Sequence, residues 1–167
     1  MKLRTLLAAI ILAAFSASAI AEENEDGAKK EKPFPVYEGE IVADRVNIRS
    51  GPGTNHARLL KVNKGYQVTV TGRRDDWLRI RVPNECFLWI WRDYVSLDTE
   101  TNIGEVTADN VNVRVEPKLG AEVVGQVDEG ACVVVTGDEG DWYEIRPPST
   151  AAAWVHSDLV QRVEPEK

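Results

Sequence analysis

Hydrophobic and polar side chains alternate along several short stretches of the chain. Val46 and Ile48 alternate with polar residues, as do Val68 and Val70, and a further stretch runs over residues 77–82. A period of two is typical of strands that bury one face, and Gly, Pro and Asn residues separate these stretches. Beyond residues 1–21 no long segment has the period of an amphipathic helix. The pattern predicts an all-β fold, either a small barrel or a sandwich.

The same pattern occurs twice. Residues 39–95 match residues 104–160 at a constant offset of 65 with no gap. The matches include Val46-Asn47-Ile48-Arg49 with Val111-Asn112-Val113-Arg114, Asp76-Trp77 with Asp141-Trp142, and Trp89 with Trp154. Two copies are too few for a solenoid, so we expect each copy to close a core of its own. We predict a first domain at 39–97, a connector at 98–103, a second domain at 104–162 and a tail at 163–167.

The N-terminus has the features of an export signal. Lys2 and Arg4 precede the apolar residues 6–15, and Ala19-Ile20-Ala21 places small residues before a cleavage point after Ala21. Ala17-Ser18-Ala19 offers an alternative cleavage point. The apolar run is short for a membrane span, which needs ~20 residues. We therefore predict a signal peptide at 1–21 and a polar spacer at 22–38. The protein is expected in the periplasm or secreted, with no stable membrane insertion.

Charge differs between the two copies. The chain carries −7, and removal of Lys2 and Arg4 with the signal peptide would leave −9, which argues against nucleic acid as a partner. Residues 39–95 have 10 Lys and Arg against 6 Asp and Glu (+4), whereas residues 104–160 have 3 against 11 (−8). Three interpretations stay open: ordinary solvation, docking of a basic domain on an acidic one, and binding of an anionic partner. The basic residues in question are Arg45, Arg58, Lys61, Lys64, Arg73 and Arg74.

The repeated motifs resemble those of bacterial SH3-like (SH3b) domains. The resemblance rests on Val46-Asn47-Ile48-Arg49-Ser50-Gly51-Pro52-Gly53-Thr54, Lys64-Gly65, Asp76-Trp77 and Trp89-Ile90 with Asp93-Tyr94-Val95, and on their counterparts in the second copy. It covers nearly all of residues 39–160. It implies two tandem small SH3-like β-barrels that serve as binding or targeting modules. Domains of this family often accompany cell-wall hydrolases and can recognise peptidoglycan or its peptides.

Aromatic side chains are the candidate ligand contacts. The candidates are Trp77, Trp89, Trp91 and Tyr94 in the first copy, and Trp142, Tyr143, Trp154 and His156 in the second. Similarity to the SH3 fold implies that Trp77 and Trp142 face a groove, where an indole could stack on peptide or sugar and donate its N–H. Trp89 and Trp154 are expected to pack in the core or between domains. Arg49 and Arg114, beside Asn47 and Asn112, are expected to have structural roles.

The sequence offers little for catalysis. Cys86 and Cys132 are not at matching positions, and in an oxidising compartment they either form a disulfide or stay free; the alternation places Cys132 on an outward face. His56 and His156 are in no recognisable catalytic arrangement, and no Cys or His spacing indicates a metal site. We therefore expect no enzyme activity, no cofactor and no metal.

The leading hypothesis is an exported, non-catalytic protein that binds peptidoglycan or another component of the cell envelope. One alternative is a periplasmic scaffold that binds a protein partner and not the wall. A further alternative is an accessory subunit of a cell-wall hydrolase.

Overall fold

A computed structural model describes residues 33–164, in which β-strands are the main regular secondary structure. The predicted signal peptide, residues 22–32 of the spacer and residues 165–167 of the tail lie outside the described part. The strands are β1 Tyr37–Ile41, β2 Val46–Arg49, β3 Arg58–Val62, β4 Gln67–Arg74, β5 Trp77–Arg81, β6 Leu88–Trp91, β7 Val95–Asp98, β8 Ile103–Val106, β9 Val111–Arg114, β10 Val123–Val127, β11 Cys132–Glu139, β12 Trp142–Ile145, β13 Ala152–His156 and β14 Val160–Arg162. Short 3₁₀ helices at Arg92–Tyr94 and Ser157–Leu159 precede β7 and β14.

The strands form two seven-stranded antiparallel sheets, each closing one small barrel. The first barrel has the order β14-β1-β4-β5-β13-β2-β3, and the second has β7-β8-β11-β12-β6-β9-β10. Each strand of one barrel corresponds to the strand at the same place in the other at the offset of 65. The predicted all-β architecture of two SH3-like barrels is therefore confirmed.

The two copies exchange their last two strands. In the first barrel β13 lies between β5 and β2, with Val155 opposite Leu78. In the second barrel β6 lies between β12 and β9, with Leu88 opposite Ile145. The expectation that each copy closes its own barrel is therefore wrong. Because β6 and β13 carry the same alternation of buried and outward residues, each strand satisfies the ladder of either barrel.

The exchange changes the role of the predicted connector. Residues 98–103 do not link two barrels: they form the turn of a hairpin between β7 and β8, both in the second barrel. Asp98 accepts a hydrogen bond of 2.9 Å from the Glu100 N–H, and Asn102 has a φ of 57°. The chain passes between the barrels at 82–87 and again at 146–151. The second barrel is thus one continuous segment inserted into the first.

The two crossing segments contact each other. Arg146 donates from Nη1 to the Asn84 carbonyl at 3.1 Å. Each segment has a proline-led turn at the same place in the repeat, with the Cys86 N–H bonded to the Pro83 carbonyl and the Ala151 N–H to the Pro148 carbonyl, both at 3.0 Å. Gly125 of β10 lies against the second crossing, where a Cβ would come within 2.8 Å of the Ala151 backbone.

The barrel interiors contain the side chains that the alternation pointed inward. Val46, Ile48, Val68 and Val70 are buried in the first barrel, as predicted. The corresponding positions of the second barrel are buried as well: Val111, Val113, Val133 and Val135. Most of the buried side chains are aliphatic, so the stability of each small barrel depends on their complete burial.

The turns repeat in their details. Arg45 and Asn110 occupy matching positions and have φ of 58° and 55°, and Gly65 and Gly130 have φ of 87° and 79°. Arg49 donates from Nη1 to the His56 carbonyl at 2.8 Å, and Arg114 donates to the matching Ala121 carbonyl at 2.7 Å. Both arginines therefore hold the loop that follows their strand, which is a structural role.

That loop also shows how the copies diverge. In the first barrel a Cβ at Gly51 would come within 2.4 Å of the His56 ring. The second copy has Glu116 in place of Gly51 and the small Ala121 in place of His56. The first loop has its larger side chain at His56 and the second has it at Glu116. The second loop therefore does not need a glycine at the position of Gly51.

The two cysteines are free thiols in the structure, and the disulfide considered above is not formed. Cys132 is exposed, as the alternation predicts, whereas Cys86 is buried at the first crossing. Within residues 33–164 no helix has the length and apolar character needed to cross a membrane.

Candidate functional site

The second barrel carries an aromatic groove of about 280 Å³. We call it the second groove; it is lined by Trp91, Tyr94, Val111, Asn112, Arg114, Leu119 and Trp142. Trp91 and Trp142 face each other across β6 and β12, and their rings meet edge to face with centroids 5.1 Å apart at 83°. Edge-to-face contact places the positive edge of one ring against the negative face of the other. The pair forms a rigid apolar wall, and Tyr94, which is 46% exposed, stands beside it.

The first barrel has a corresponding aromatic pair at the same place, and we call the surface around it the first groove. Trp77 of β5 lies opposite His156 of β13, with ring centroids 5.5 Å apart at 80°. His156 replaces Trp91, and Leu159 replaces Tyr94. His156 also accepts a hydrogen bond of 3.4 Å from the Asp158 N–H through Nδ1. The first groove is therefore more polar at this wall than the second.

Each groove draws side chains from both copies. Trp77 comes from copy 1 and His156 from copy 2, whereas Trp91 and Tyr94 come from copy 1 and Trp142 from copy 2. The sequence-based grouping of aromatics by copy is therefore wrong. The strand exchange brings the two halves of each groove together, and neither copy contains a whole groove.

Three of the candidate aromatics lie outside the grooves. Tyr143 sits across from the buried Ile90, with the Arg92 guanidinium 4.8 Å from its ring centroid. Trp89 and Trp154 are both half-buried on the outward faces of β6 and β13. Trp154 lines a cleft between the barrels.

A carboxylate joins the two barrels. The Glu122 side chain accepts hydrogen bonds from the Ser50 hydroxyl and, at 3.3 Å, from the Ala57 N–H, and it lies 3.4 Å from His56 Nδ1. Burial disfavours the charged form, but these hydrogen bonds and the nearby imidazole outweigh it, so the pKa of Glu122 lies below its ordinary value. Sequence reasoning missed this residue because its counterpart in copy 1 is Ala57.

The groove residues Asn112 and Leu119 were also missed as ligand contacts. Asn112 accepts a hydrogen bond of 3.1 Å from Gln126 through Oδ1, and Leu119 is 71% exposed on the loop above the groove. An exposed loop leucine is the one signal that could have been noticed, since a large apolar side chain in water often marks a contact surface.

The thiols and imidazoles are arranged unlike a nucleophile with its base. Burial, with the charge of Glu85 as a smaller contribution, raises the pKa of Cys86 to about 11. His56 is held against Glu122 and His156 against Trp77. In the part of the chain that the structure describes, no three His, Cys, Asp or Glu side chains are grouped so that they could hold a metal ion.

The two folded barrels differ in net charge, as the two copies of the repeat do. Residues 37–82 and 148–164, which build the first barrel, contain 10 Lys and Arg and 7 Asp and Glu, a formal charge of +3. Residues 83–147, which build the second, contain 4 and 14, a formal charge of −10. The first barrel therefore attracts anions and the second repels them.

Comparison with known proteins identifies relatives of these barrels. The chain is similar to the putative N-acetylmuramoyl-L-alanine amidase YrvJ of Bacillus subtilis (strain 168), with 28% identity over 131 residues. The match covers 74% of this chain and 25% of the amidase, so the chain spans about a quarter of the length of this curated relative. The chain is also similar to the solved structure of NlpC2 from Trichomonas vaginalis, with 13% sequence identity. That match covers 76% of this chain and 48% of the NlpC2 chain. Its TM-score of 0.24 supports no conclusion about this protein.

The bacterial SH3 domain family matches the chain twice, at residues 44–96 and 109–161. These segments coincide with the two copies of the repeat and together make up more than half of the chain. The chain belongs to the bacterial SH3 domain family and contains two tandem copies of the domain.

Proposed function

We propose that this protein is an exported, non-catalytic module that binds peptidoglycan through its two aromatic grooves. The observation that carries the proposal is the second groove, where Trp91, Trp142 and the exposed Tyr94 surround a cavity of about 280 Å³. Small-ligand sites are concave and mostly apolar, with a few polar groups that orient the ligand. Asn112 and Arg114 are the polar side chains that line this groove besides Tyr94.

The comparisons supply the reason to choose the cell wall as the ligand. The family is a bacterial one, and the relative from Bacillus subtilis is named as an amidase that acts on N-acetylmuramoyl-L-alanine. The amidase is about four times as long as the matched segment, so its catalytic activity is not transferred to this chain. The raised pKa of Cys86 and the packing of both histidines further support a role without catalysis.

Two grooves on one chain would increase the total affinity for a polymer. Once one groove has bound, the other is held near further repeats of the same ligand at high effective concentration. The wall is such a repetitive ligand, and two weak sites could then retain the protein on it. A substitution that disables one groove is therefore expected to reduce retention on the wall by more than the binding energy of that groove alone.

Co-sedimentation with purified sacculi tests the proposal. The purified protein should pellet with sacculi, and Tyr94→Ala combined with Trp77→Ala should leave it in the supernatant. Phe87→Ala is the matched control, because Phe87 is 46% exposed like Tyr94 but lies on the first crossing segment, away from the grooves. Trp142 is not used here, because it is only 6% exposed and its truncation would disturb the fold.

Failure of the wild-type protein to pellet would contradict wall binding. Release of new amino groups or reducing ends from peptidoglycan by the purified protein would contradict the non-catalytic role. Recovery of a single stoichiometric protein partner after crosslinking in envelope extract, without binding to sacculi, would favour the scaffold alternative.

A further inference from the structure

A cleft that shares no residue with the second groove lies where the two barrels meet. It has a volume of about 370 Å³, and Trp154 and Arg74 form one wall while His56 and Glu122 form the other. Trp154 is half-buried, so part of its indole faces the cleft. The Arg74 guanidinium carbon lies 5.7 Å from the centre of the Trp154 ring. This arrangement combines a flat aromatic face with a positive charge at its rim.

Two more arginines lie beside Trp154. Arg79 of β5 and Arg49 of β2 are its direct cross-strand neighbours, one on each side. Directly opposed residues in antiparallel strands point to the same face of the sheet. Trp154 therefore has positively charged neighbours on both sides, in addition to Arg74.

These arginines have no carboxylate partner among residues 33–164. The ion pairs in that part of the chain involve Arg92, Lys118, Arg162 and the two histidines. Arg49 donates to the His56 carbonyl, a neutral acceptor, and Arg74 and Arg79 are exposed. The charges of Arg74 and Arg79 are thus free to meet an anion from outside.

The second copy shows that the fold does not require this cluster. The counterpart of Trp154 is Trp89, whose cross-strand neighbours are Glu144 and Arg114. The position that matches Arg74 is Glu139. Glutamates in copy 2 thus replace two of the three arginines, and only the arginine of the VNxR motif is kept, so the excess of positive charge is specific to Trp154.

The opposite wall of the cleft already holds a carboxylate, that of Glu122. The Ser50 hydroxyl and the Ala57 N–H donate to it, and His56 lies against it. These contacts satisfy the Glu122 carboxylate at the far wall and leave the Arg74 side of the cleft, with Arg79 beside Trp154 in the ladder, for a second anion.

We propose that this cleft binds a sugar ring that bears a carboxylate or a phosphate. The ring would lie against Trp154, and the anionic group would accept hydrogen bonds from Arg74 and Arg79, whose planar guanidinium groups suit both kinds of oxyanion. The site adjoins the first groove, because Arg74 lies opposite Trp77 in the ladder, and it is separate from the second groove.

NMR titration of the full protein tests this site directly. The five tryptophans give five indole N–H signals, and the Trp154 signal is the one lost in Trp154→Phe. Glucuronate and glucose 6-phosphate should shift the Trp154 signal, whereas neutral glucose at the same concentration should leave it in place. The more tightly bound acid identifies the preferred oxyanion, and added salt should weaken both.

Charge reversal then assigns the contacts. Arg74→Glu with Arg79→Glu should weaken binding by about tenfold or more, because charge-assisted hydrogen bonds are lost. Arg45→Glu with Lys64→Glu makes the same change of net charge at a turn of the first barrel and should leave the affinity within about twofold. Unchanged signals of the Trp89, Trp91 and Trp142 indoles would show that the variants are folded; Trp77 is not used, because it lies opposite Arg74.

Two results would overturn the proposal. One is an equal shift of the Trp154 signal with glucose and with the two acids, or no shift with any of them. The other is unchanged affinity in the Arg74→Glu, Arg79→Glu variant. Either result would leave the binding of sacculi through the second groove unaffected, because that groove is in the other barrel and is tested with Tyr94→Ala and a different ligand.

Discussion

The first and second barrels have the same strand order and the same turns, yet they differ in their grooves and in their charge. The second groove is walled by Trp91 against a buried Trp142, whereas the first has His156 against a half-buried Trp77. The first barrel carries +3 and has arginines on both sides of Trp154, whereas the second carries −10 and has Glu144 on one side of Trp89. The duplicated core has been kept while the outward positions have diverged. Because outward positions do not determine whether the barrel closes, they are free to specialise.

The largest difference should appear when the groove tryptophans are truncated. Trp142→Ala removes a side chain that is only 6% exposed and should lower the free energy of unfolding by about 3–5 kcal/mol. Trp77→Ala removes a half-buried ring and should cost roughly 1–2 kcal/mol. Urea unfolding at constant m-value measures both. Equal losses would show that the two grooves are packed alike, contrary to the structure.

The exchange of strands can be tested by a double-mutant cycle. Leu88→Ala should destabilise by about 2–5 kcal/mol, because Leu88 is completely buried. Leu88 lies opposite Ile145 of the second barrel, whereas its counterpart Ala153 lies opposite Ile80. The cycle with Ile145→Val should therefore show a coupling of roughly 0.5 kcal/mol or more, and the cycle with Ile80→Val should show none.

Coupling of Leu88 to Ile80 in place of Ile145 would mean that each copy closes its own barrel. The matched variant Ala153→Leu adds volume at the counterpart position and should cost about 1–3 kcal/mol through overpacking of the first barrel. A stabilising effect of that variant would contradict the tight packing around Ala153.

The smallest expected effect concerns the carboxylate that joins the barrels. The pKa of Glu122 in the folded protein lies below 4.5, its ordinary value in an unfolded chain. The hydrogen bonds to its carboxylate therefore stabilise the fold above pH 4.5, and this stabilisation is lost as the pH falls from 4.5 through the folded-state pKa. Glu122→Gln should reduce the free energy of unfolding by up to about 1 kcal/mol at pH 7, since the group is partly exposed. The variant and the wild type should converge in acid. Glu105→Gln, at an exposed carboxyl of the same barrel, is the control; a difference that persists at low pH would contradict the link to ionisation.

Much of the fold was predictable from local pattern. The alternation around Val46 and Val68 identified the inward faces, and the same alternation placed Cys132 outside. These predictions succeeded because the side-chain period of a strand is two wherever the strand pairs. The matching turns followed too, since Gly65 and Gly130 supply the positive φ that the turn needs.

The site was predictable only in part. Trp77, Trp91, Tyr94, Trp142 and His156 were identified as candidates, but they were grouped by copy. Glu122 and Leu119 were not identified, because neither has a counterpart of similar chemistry in copy 1. The clues to the exchange are side chains at the crossings: Gly125 in place of Leu60, and Ala153 in place of Leu88. These sequence differences point to the exchange only when it is known which residues of the neighbouring barrel lie against them.

The amino-acid sequence by itself determined that the chain forms two β-barrels of the same design, because the pattern of burial and turn chemistry is local and occurs twice. Only the tertiary structure decided which strand completes which barrel. β6 and β13 have the same alternation of buried and outward residues, so either strand could pair with its neighbours in either barrel. Which barrel each strand joins depends on packing at the crossings and between the barrels. That choice places Trp91 beside Trp142, Trp77 beside His156 and Trp154 beside Arg79, and it therefore decides which side chains form each candidate binding site.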